Sequence, residues 1–481
     1  MELILIFASL LVAVFVGFFA NRRSVIEFAS VSASLVTCTA ALAIALKVAS
    51  WGTYAPLPFF SIDALGAIIL LIIACVGFSV VSYSIPYLRI ETAKDIIGFK
   101  RARQYYILLN LFLLAMVLAV TTNSPIFAWI SIEATTLATA FLISFYNKPS
   151  SIEAAWKYLI INSVGLLLGF FGTLLYFTSV SSFGGDGFVS WQSLIENASH
   201  LDPLIAKIAF IFVLIGYGTK IGLAPMHTWL PDAHSKAPAP ISALLSGVLL
   251  NVVFITMLRF KGITDASIGI GFTQILLIVF GFLSILLAAL INFNQKSYKR
   301  LLAYHSIENM GLATFGFGIG GIGVFAGILH MIYHALVKSA LFLSAGTIFL
   351  KYSSTKIKNI RGAIVALPVT SILFLIGFFI ITGTPPFGMF VTKMLIFSEG
   401  ILAYPIVTIA ALFSAALLFI AFFNHATEMA FGQKPDEITV GEESIWLIIP
   451  PLALMGIVIV LSFYIPPFLS TLITTVVVSY K

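Results

Sequence analysis

Charge is what this sequence has least of. Only 9% of its 481 residues are Asp, Glu, Lys or Arg, against roughly 25% in a soluble domain. A soluble fold of this length divides into two or three domains with polar surfaces, and 26 Lys and Arg with 19 Asp and Glu cannot coat even one. Cysteine is scarcer still. Cys38 and Cys75 lie in apolar stretches without a CxxC spacing, and an iron–sulfur cluster needs about four thiolates. No cofactor and no redox centre are therefore expected in this chain. Low-complexity segments and a recognisable soluble domain are missing as well.

Apolar residues fill the space, at 60% of the chain. Leu3–Ala20, Ala64–Ile85 and Val365–Thr392 carry no charge, and about 20 such residues cross a hydrocarbon core as a helix. The fold class that follows is all-α and polytopic in the membrane. The first run lacks a basic n-region and precedes Arg22-Arg23 rather than a small-residue cleavage site, so it is expected to stay as a span.

Hydrophobic runs set against polar connectors give about 14 spans, centred near residues 12, 36, 73, 112, 134, 166, 214, 249, 281, 308, 337, 380, 412 and 455. The last is ambiguous: Ser444–Tyr480 reads as one span plus an interfacial tail, broken at Pro450-Pro451 and Pro466-Pro467. With the N-terminus outside, the odd-to-even connectors hold 18 of the 26 Lys and Arg, among them Arg22, Arg23, Lys100, Arg101, Arg103 and Lys299. The outer side keeps Lys47, Lys207, Arg259, Lys261 and Lys481. That bias obeys the positive-inside rule of a prokaryotic inner membrane. It also accounts for the net charge of +7, and no nucleic-acid partner is needed to explain it. The Gly- and Ser-rich stretch Ser179–Asp202 reads as the longest outer loop.

Five charges remain inside apolar segments: Glu133, Lys220, Glu308, Lys338 and Lys393. Left unpaired they cost together roughly 12–17 kcal/mol on insertion scales. Mutual pairing or water must offset that, either as ion pairs that brace helices or as a path for ions. Spacing favours the path. Glu133 precedes Lys220 by 87 residues, and Glu308 precedes Lys393 by 85. The two pairs fall on the fifth and seventh, then the tenth and twelfth spans. A shift of five is odd, so the second set runs inverted, the plan of an inverted repeat. Lys220 is followed by Gly222 and Pro225, and Lys393 is preceded by Gly383, Pro385, Pro386 and Gly388. Both helices should therefore break near mid-membrane. A lysine beside a break, balanced between desolvation and a carboxylate, is placed to gain and lose a proton.

His330, His334 and Lys338 stand four apart and share one helical face. Zinc needs three or four ligands and no matching donors are spaced for it, so a proton relay is the expected role. His227 and His234, in "PMHTWLPDAHSKAPAP", fit either gating of cytoplasmic entry or plain solvation. Gly316, Gly318 and Gly321 spell GxGxxG, but they follow a membrane helix and the next acid is Glu399, so no dinucleotide fold is expected.

The stretch "TKIGLAPMHTWLPDAHSKAPAPISALLSG" resembles the seventh-to-eighth-helix signature of the antiporter-like subunits of respiratory complex I and Mrp-type cation/proton antiporters. The resemblance covers nearly the whole chain. It implies 14 helices, with inverted five-helix repeats at helices 4–8 and 9–13 and a hydrophilic axis for protons or sodium. The corresponding divisions here are 1–103, 104–262, 269–431 and 444–481. By the same resemblance Glu133 is the helix-five glutamate, Lys220 the helix-seven lysine, and Lys393 the helix-twelve charge. Lys338 with His330 and His334 is the helix-eleven relay.

Asn251 stands where the family often carries a lysine, which leaves a neutral link between Lys220 and Glu308. Asn251, with Glu308 and Asn309 in "YHSIENMG", is similar to the large membrane subunits of group 4 energy-converting [NiFe] hydrogenases and their relatives. The expected partners are then other antiporter-like and small membrane subunits, together with hydrophilic iron–sulfur and hydrogenase-like subunits. Those partners, not this chain, would hold nickel–iron and iron–sulfur centres. Other readings are an Mrp-type antiporter subunit driven by gradients alone and a purely structural membrane-arm subunit.

Overall fold

In hydrocarbon every backbone polar group must be satisfied within the chain, so these apolar runs fold as helices. A computed structural model describes residues 1–181 and 189–480. Seven residues of the expected Ser179–Asp202 loop, and Lys481, lie outside the described residues. Among those described, twelve helices are long and apolar enough to cross a membrane.

Two of the fourteen expected centres fall elsewhere. Centre 308 lies on Tyr298–Ile319, where His305, Glu308 and Asn309 lower the hydropathy. Centre 380 lies on Pro368–Thr382, which with Gly388–Ala403 makes a broken pair, each piece too short alone. Proline starts the helices Pro125–Ile143, Pro149–Tyr176, Pro203–Ile221, Pro368–Thr382, Pro405–Ala430 and Pro467–Ser479. At that first position its missing N–H costs nothing. A short antiparallel hairpin, Tyr54–Leu57 with Phe60–Ile62, sits at the end that carries the N-terminus, where the Met1 amine donates to the Tyr54 hydroxyl at 3.2 Å.

Large apolar side chains such as Phe15, Phe141, Leu167 and Phe413 face outward, as lipid requires. Polar residues gather inside. Ala239–Ile268 and Ile322–Tyr352 run through the middle, buried on nearly every side. They cross closely at Gly247, where a Cβ would clash with Ser339 and stand 2.6 Å from the Ala335 carbonyl. Next to that crossing, Leu245–Leu249 winds as a π-helix, a local widening often found at functional sites.

Both expected breaks are present. Pro203–Ile221 stops at Gly222 (φ +85°), the chain turns through Met226–Thr228, and Trp229–Lys236 continues. Pro368–Thr382 stops at Gly383 (φ +80°) and Gly388–Ala403 resumes. Free carbonyls at the breaks find donors: the Trp229 indole N–H to Thr219 O at 2.7 Å, and Lys393 Nζ to Thr382 O at 3.3 Å. The C-terminal segment, Ile445–Phe463 and Pro467–Ser479, packs along Ala64–Ala93. One end lies by Lys351, whose ammonium is 3.3 Å from Glu443, and the other by Lys261, over the Tyr480 ring.

Two cations differ from their expected places in connectors. Lys261 and Lys299 are buried within helices, 2% and 3% exposed. Lys261 is neutralised by Asp265 four residues on, at 2.5 Å. Lys299 donates to the Ala237 carbonyl at 3.1 Å.

Candidate ion pathway

The first cluster grows from Glu133 on Pro125–Ile143. Its carboxylate accepts from the Ser163 hydroxyl at 2.7 Å and the Thr136 hydroxyl at 3.1 Å. Thr136 is one turn on, so the helix itself supplies that partner. Lys220, at the last turn before its break, is wholly buried. Its ammonium donates to Thr136 Oγ1 at 2.9 Å and to the Tyr158 hydroxyl at 2.6 Å. It also sits 4.5 Å from the centre of the Tyr158 ring, within the range of cation–π attraction. Glu133 and Lys220 therefore do not touch. The Thr136 hydroxyl accepts from the ammonium and donates to the carboxylate, so one neutral oxygen joins them. Glu133 is half-buried at the edge of the bundle.

The second cluster is a direct ion pair. Lys393 Nζ stands 2.9 Å from Glu308 Oε1, with the Glu308 side chain fully buried and that of Lys393 9% exposed. Asn309 Nδ2 donates to the other Glu308 oxygen. Asn309 Oδ1 meets His330 Nε2 at 3.0 Å, and His330 Nδ1 meets the Thr392 hydroxyl at 3.0 Å. Thr392 adjoins Lys393 in sequence, so carboxylate, amide, imidazole and hydroxyl lead from Glu308 back to the Lys393 helix. His305 Nδ1 approaches Glu308 at 3.8 Å.

Outside both clusters lie the remaining candidates. Lys338 donates to the Leu302 carbonyl and has its ammonium 5.5 Å from the Phe342 ring centre. His334 is buried and neither ring nitrogen has a partner. Asn251 Nδ2 donates to Gly247 O at 2.8 Å inside the π turn, while its Oδ1 is unpartnered. One turn before Asn251, the Ser246 and Ser306 hydroxyls meet at 2.6 Å and tie Ala239–Ile268 to the Glu308 helix. Buried polar atoms are normally hydrogen-bonded, and the unpartnered atoms of Asn251 and His334 are exceptions inside the bundle.

Seven of the eight expected residues are buried and Glu133 is half-buried, and only Glu308 and Lys393 among them pair directly. His227 and His234, whose roles were open, are buried rather than solvated, and His234 stacks on Phe342 with ring centres 5.1 Å apart. Sequence reasoning missed Thr136, Tyr158, Ser163 and Thr392, since a hydroxyl in an apolar run has no distinguishing mark. It also missed His305, which its place three residues before Glu308 could have revealed. Among the described residues no group of three or more His, Cys, Asp or Glu is placed to hold a metal ion.

Comparison with known proteins bears on this arrangement. The family described as NADH:quinone oxidoreductase/Mrp antiporter, TM, matches residues 122–419. The chain is 37% identical over 381 residues to the hydrogenase-4 component F homolog of Methylacidiphilum infernorum (isolate V4), covering 79% of this chain and 80% of that protein. It is 28% identical over 435 residues to a Na(+)/H(+) antiporter subunit from Alkalihalophilus pseudofirmus, covering 84% of this chain and 52% of that protein. The chain spans about half the length of that relative. Among solved structures, a chain of the membrane-bound sulfane sulfur reductase (MBS), an archaeal respiratory membrane complex, superposes with a TM-score of 0.87 at 24% identity. That match covers 100% of this chain and 96% of the other.

Proposed function

The chain belongs to the NADH:quinone oxidoreductase/Mrp antiporter transmembrane family, and from that premise we propose that it is the proton-translocating membrane subunit of a redox-driven complex. The observation that carries this reading is the set of charged and polar side chains gathered inside the bundle. The Glu308–Lys393 pair at 2.9 Å closes one end, and Lys220, held by the hydroxyls of Thr136 and Tyr158 and reaching Glu133 through Thr136, closes the other. His330 belongs to the second cluster, and Lys338, His334 and Asn251 lie outside both.

A lysine held by neutral hydroxyls changes its proton occupancy when the field around it changes. An ion pair that opens exposes its lysine to the next group, and one that closes withdraws it. Charge rearrangement at one end is thereby passed along the line as a series of proton shifts. Each charge moved against 100 mV requires about 2.3 kcal/mol. A charge in the membrane interior that gains or loses its partner supplies free energy of that order.

Two units, 104–262 and 269–431, would act as inverted repeats, preceded by 1–103 and followed by 444–481. Their matching breaks at Gly222 and Gly383 support that division. Glu133, half-buried at the bundle edge, fits a neighbouring membrane subunit that covers it, since a carboxylate facing lipid costs about 2.5–3.5 kcal/mol. Hydrophilic partners of the hydrogenase type would hold the nickel–iron and iron–sulfur centres. The bias of basic residues supports a prokaryotic inner membrane with the N-terminus outside, and fourteen crossings in all.

In vesicles carrying the assembled complex, Lys220→Ala is expected to abolish proton uptake while the complex still assembles on native gels. Undiminished uptake with normal assembly would leave only a bracing role. Similarity to the Na(+)/H(+) antiporter subunit favours a second reading, exchange driven by ion gradients alone. Purification by a tag on this chain separates the two: iron–sulfur partners support redox drive, and small membrane partners without metal support exchange.

A further inference from the structure

At the end of the bundle that carries the N-terminus, away from the charged line, a cavity of about 410 Å³ opens between helix ends. This lies within the usual size range of small-molecule sites. Its lining includes Arg259, Trp191, Asp63 and Asn123 together with the apolar Leu65 and Ile263.

Arg259 is the unusual member. Its side chain is only 9% exposed, and the guanidinium lies 5.4 Å from the Trp191 ring centre. Nη2 donates to Asp63 Oδ1 at 3.2 Å and approaches the Val120 carbonyl at 3.5 Å. Nη1 is buried with no partner. The Trp191 indole N–H, against the same guanidinium, is also buried without a partner. Asp63, paired with Nη2, does not reach either of them. Its Oδ1 already caps the helix Ala64–Ala93 through the Gly66 N–H at 2.7 Å, and its side chain is 47% exposed.

Arg259 and Trp191 line one cavity, and each keeps a donor without a partner just behind its wall, where a small side-chain rotation turns it to an acceptor with several oxygens. Arginine's planar fork suits a phosphate, which can take Nη1 and the indole N–H on separate oxygens. The surroundings are amphiphilic: hydroxyls of Thr53, Ser61 and Ser479 at the mouth, aliphatic side chains beneath, and helix ends at the depth where polar headgroups lie. We propose that this cavity binds a phosphate group through Arg259 and Trp191, as carried by the head of a membrane phospholipid. Its aliphatic floor receives the glycerol and upper acyl carbons. Half-exposed Asp63 is left to meet the cationic part of a zwitterionic head.

The test is native mass spectrometry of the intact complex, in which this chain is released with its tightly held lipids. Trp191→Phe keeps the ring and removes only the N–H, and Arg259→Gln removes the cation. The wild type is expected to keep one phospholipid more than either variant, with retention lowered at least fivefold. Inorganic phosphate titrated into delipidated complex separates the sources. Phosphate binding that Trp191→Phe abolishes, without lipid retention, supports the site with free phosphate as its ligand. Should Arg259→Gln fail to assemble, Trp191→Phe carries the comparison alone. Equal lipid retention in wild type and Trp191→Phe, with no phosphate binding, overturns the proposal.

Discussion

A hydroxyl decides how the first pair communicates. Thr136 holds Lys220 on one lone pair and gives its proton to Glu133, so ammonium and carboxylate are linked without contact. Hydrogen bonds to charged groups contribute about 1.5–3 kcal/mol. Thr136→Val preserves the shape and removes the link. Its proton translocation per redox turnover is expected to fall roughly tenfold or more, from that range of energies. Thr136→Ser should retain most of the wild-type ratio. Equal coupling in the Val variant would show that Thr136 is only packing.

The second pair behaves differently because it is direct. Removing Lys393 alone strands a fully buried Glu308, a change that costs about 3–5 kcal/mol. Lys393→Ala is therefore expected to lower the thermal stability of the purified complex by several degrees, measured by scanning fluorimetry. Neutralising both partners as Glu308→Gln with Lys393→Met should recover most of the loss.

Helices were legible where composition changes sharply. The break after Lys220 followed from Gly222 and Pro225, and the break before Lys393 from Gly383 and the Pro385-Pro386 pair, because those residues cannot continue a helix. Gly222 has φ +85°, and a Cβ there would also collide with the Leu230 side chain. Gly222→Ala is expected to destabilise the complex by about 1–2 kcal/mol, the cost of an L residue in left-handed backbone. An unchanged melting temperature would mean that the turn relaxes freely.

Other elements were not legible. The π turn at Leu245–Leu249 coincides with the close crossing at Gly247, a tertiary contact with no local signature. Lys261 and Lys299 read as connector cations because charge usually marks a helix end. Each is instead buried near the end of a helix, where Asp265 or the Ala237 carbonyl receives it. Seven of the eight candidates were named because ionisable groups are conspicuous in hydrocarbon, and Asn251 was named from the family resemblance. Their hydroxyl partners were not, since Thr and Ser cost little there and appear throughout.

Across the whole molecule, polarity is turned inside out relative to a soluble protein. Aromatic and aliphatic side chains form the outer belt, while Lys220, Glu308, His330 and Lys338 are fully buried. Such a layout places several charges in line without exposing them to lipid. The Ser246 and Ser306 hydroxyls tie the helix that carries Asn251 to the helix that carries Glu308. A pathway through these residues requires that the Glu308–Lys393 pair can open, whereas a brace requires that it stay closed.

The most direct measurement is proton uptake per electron transferred in vesicles carrying the intact complex, compared between wild type and the double neutral variant Glu308→Gln/Lys393→Met. That variant removes the charges and leaves the packing. Assembly near wild-type level with proton uptake lost is the expected result. Full uptake at an unchanged ratio would contradict a translocating role for the Glu308–Lys393 pair and leave it a structural contact.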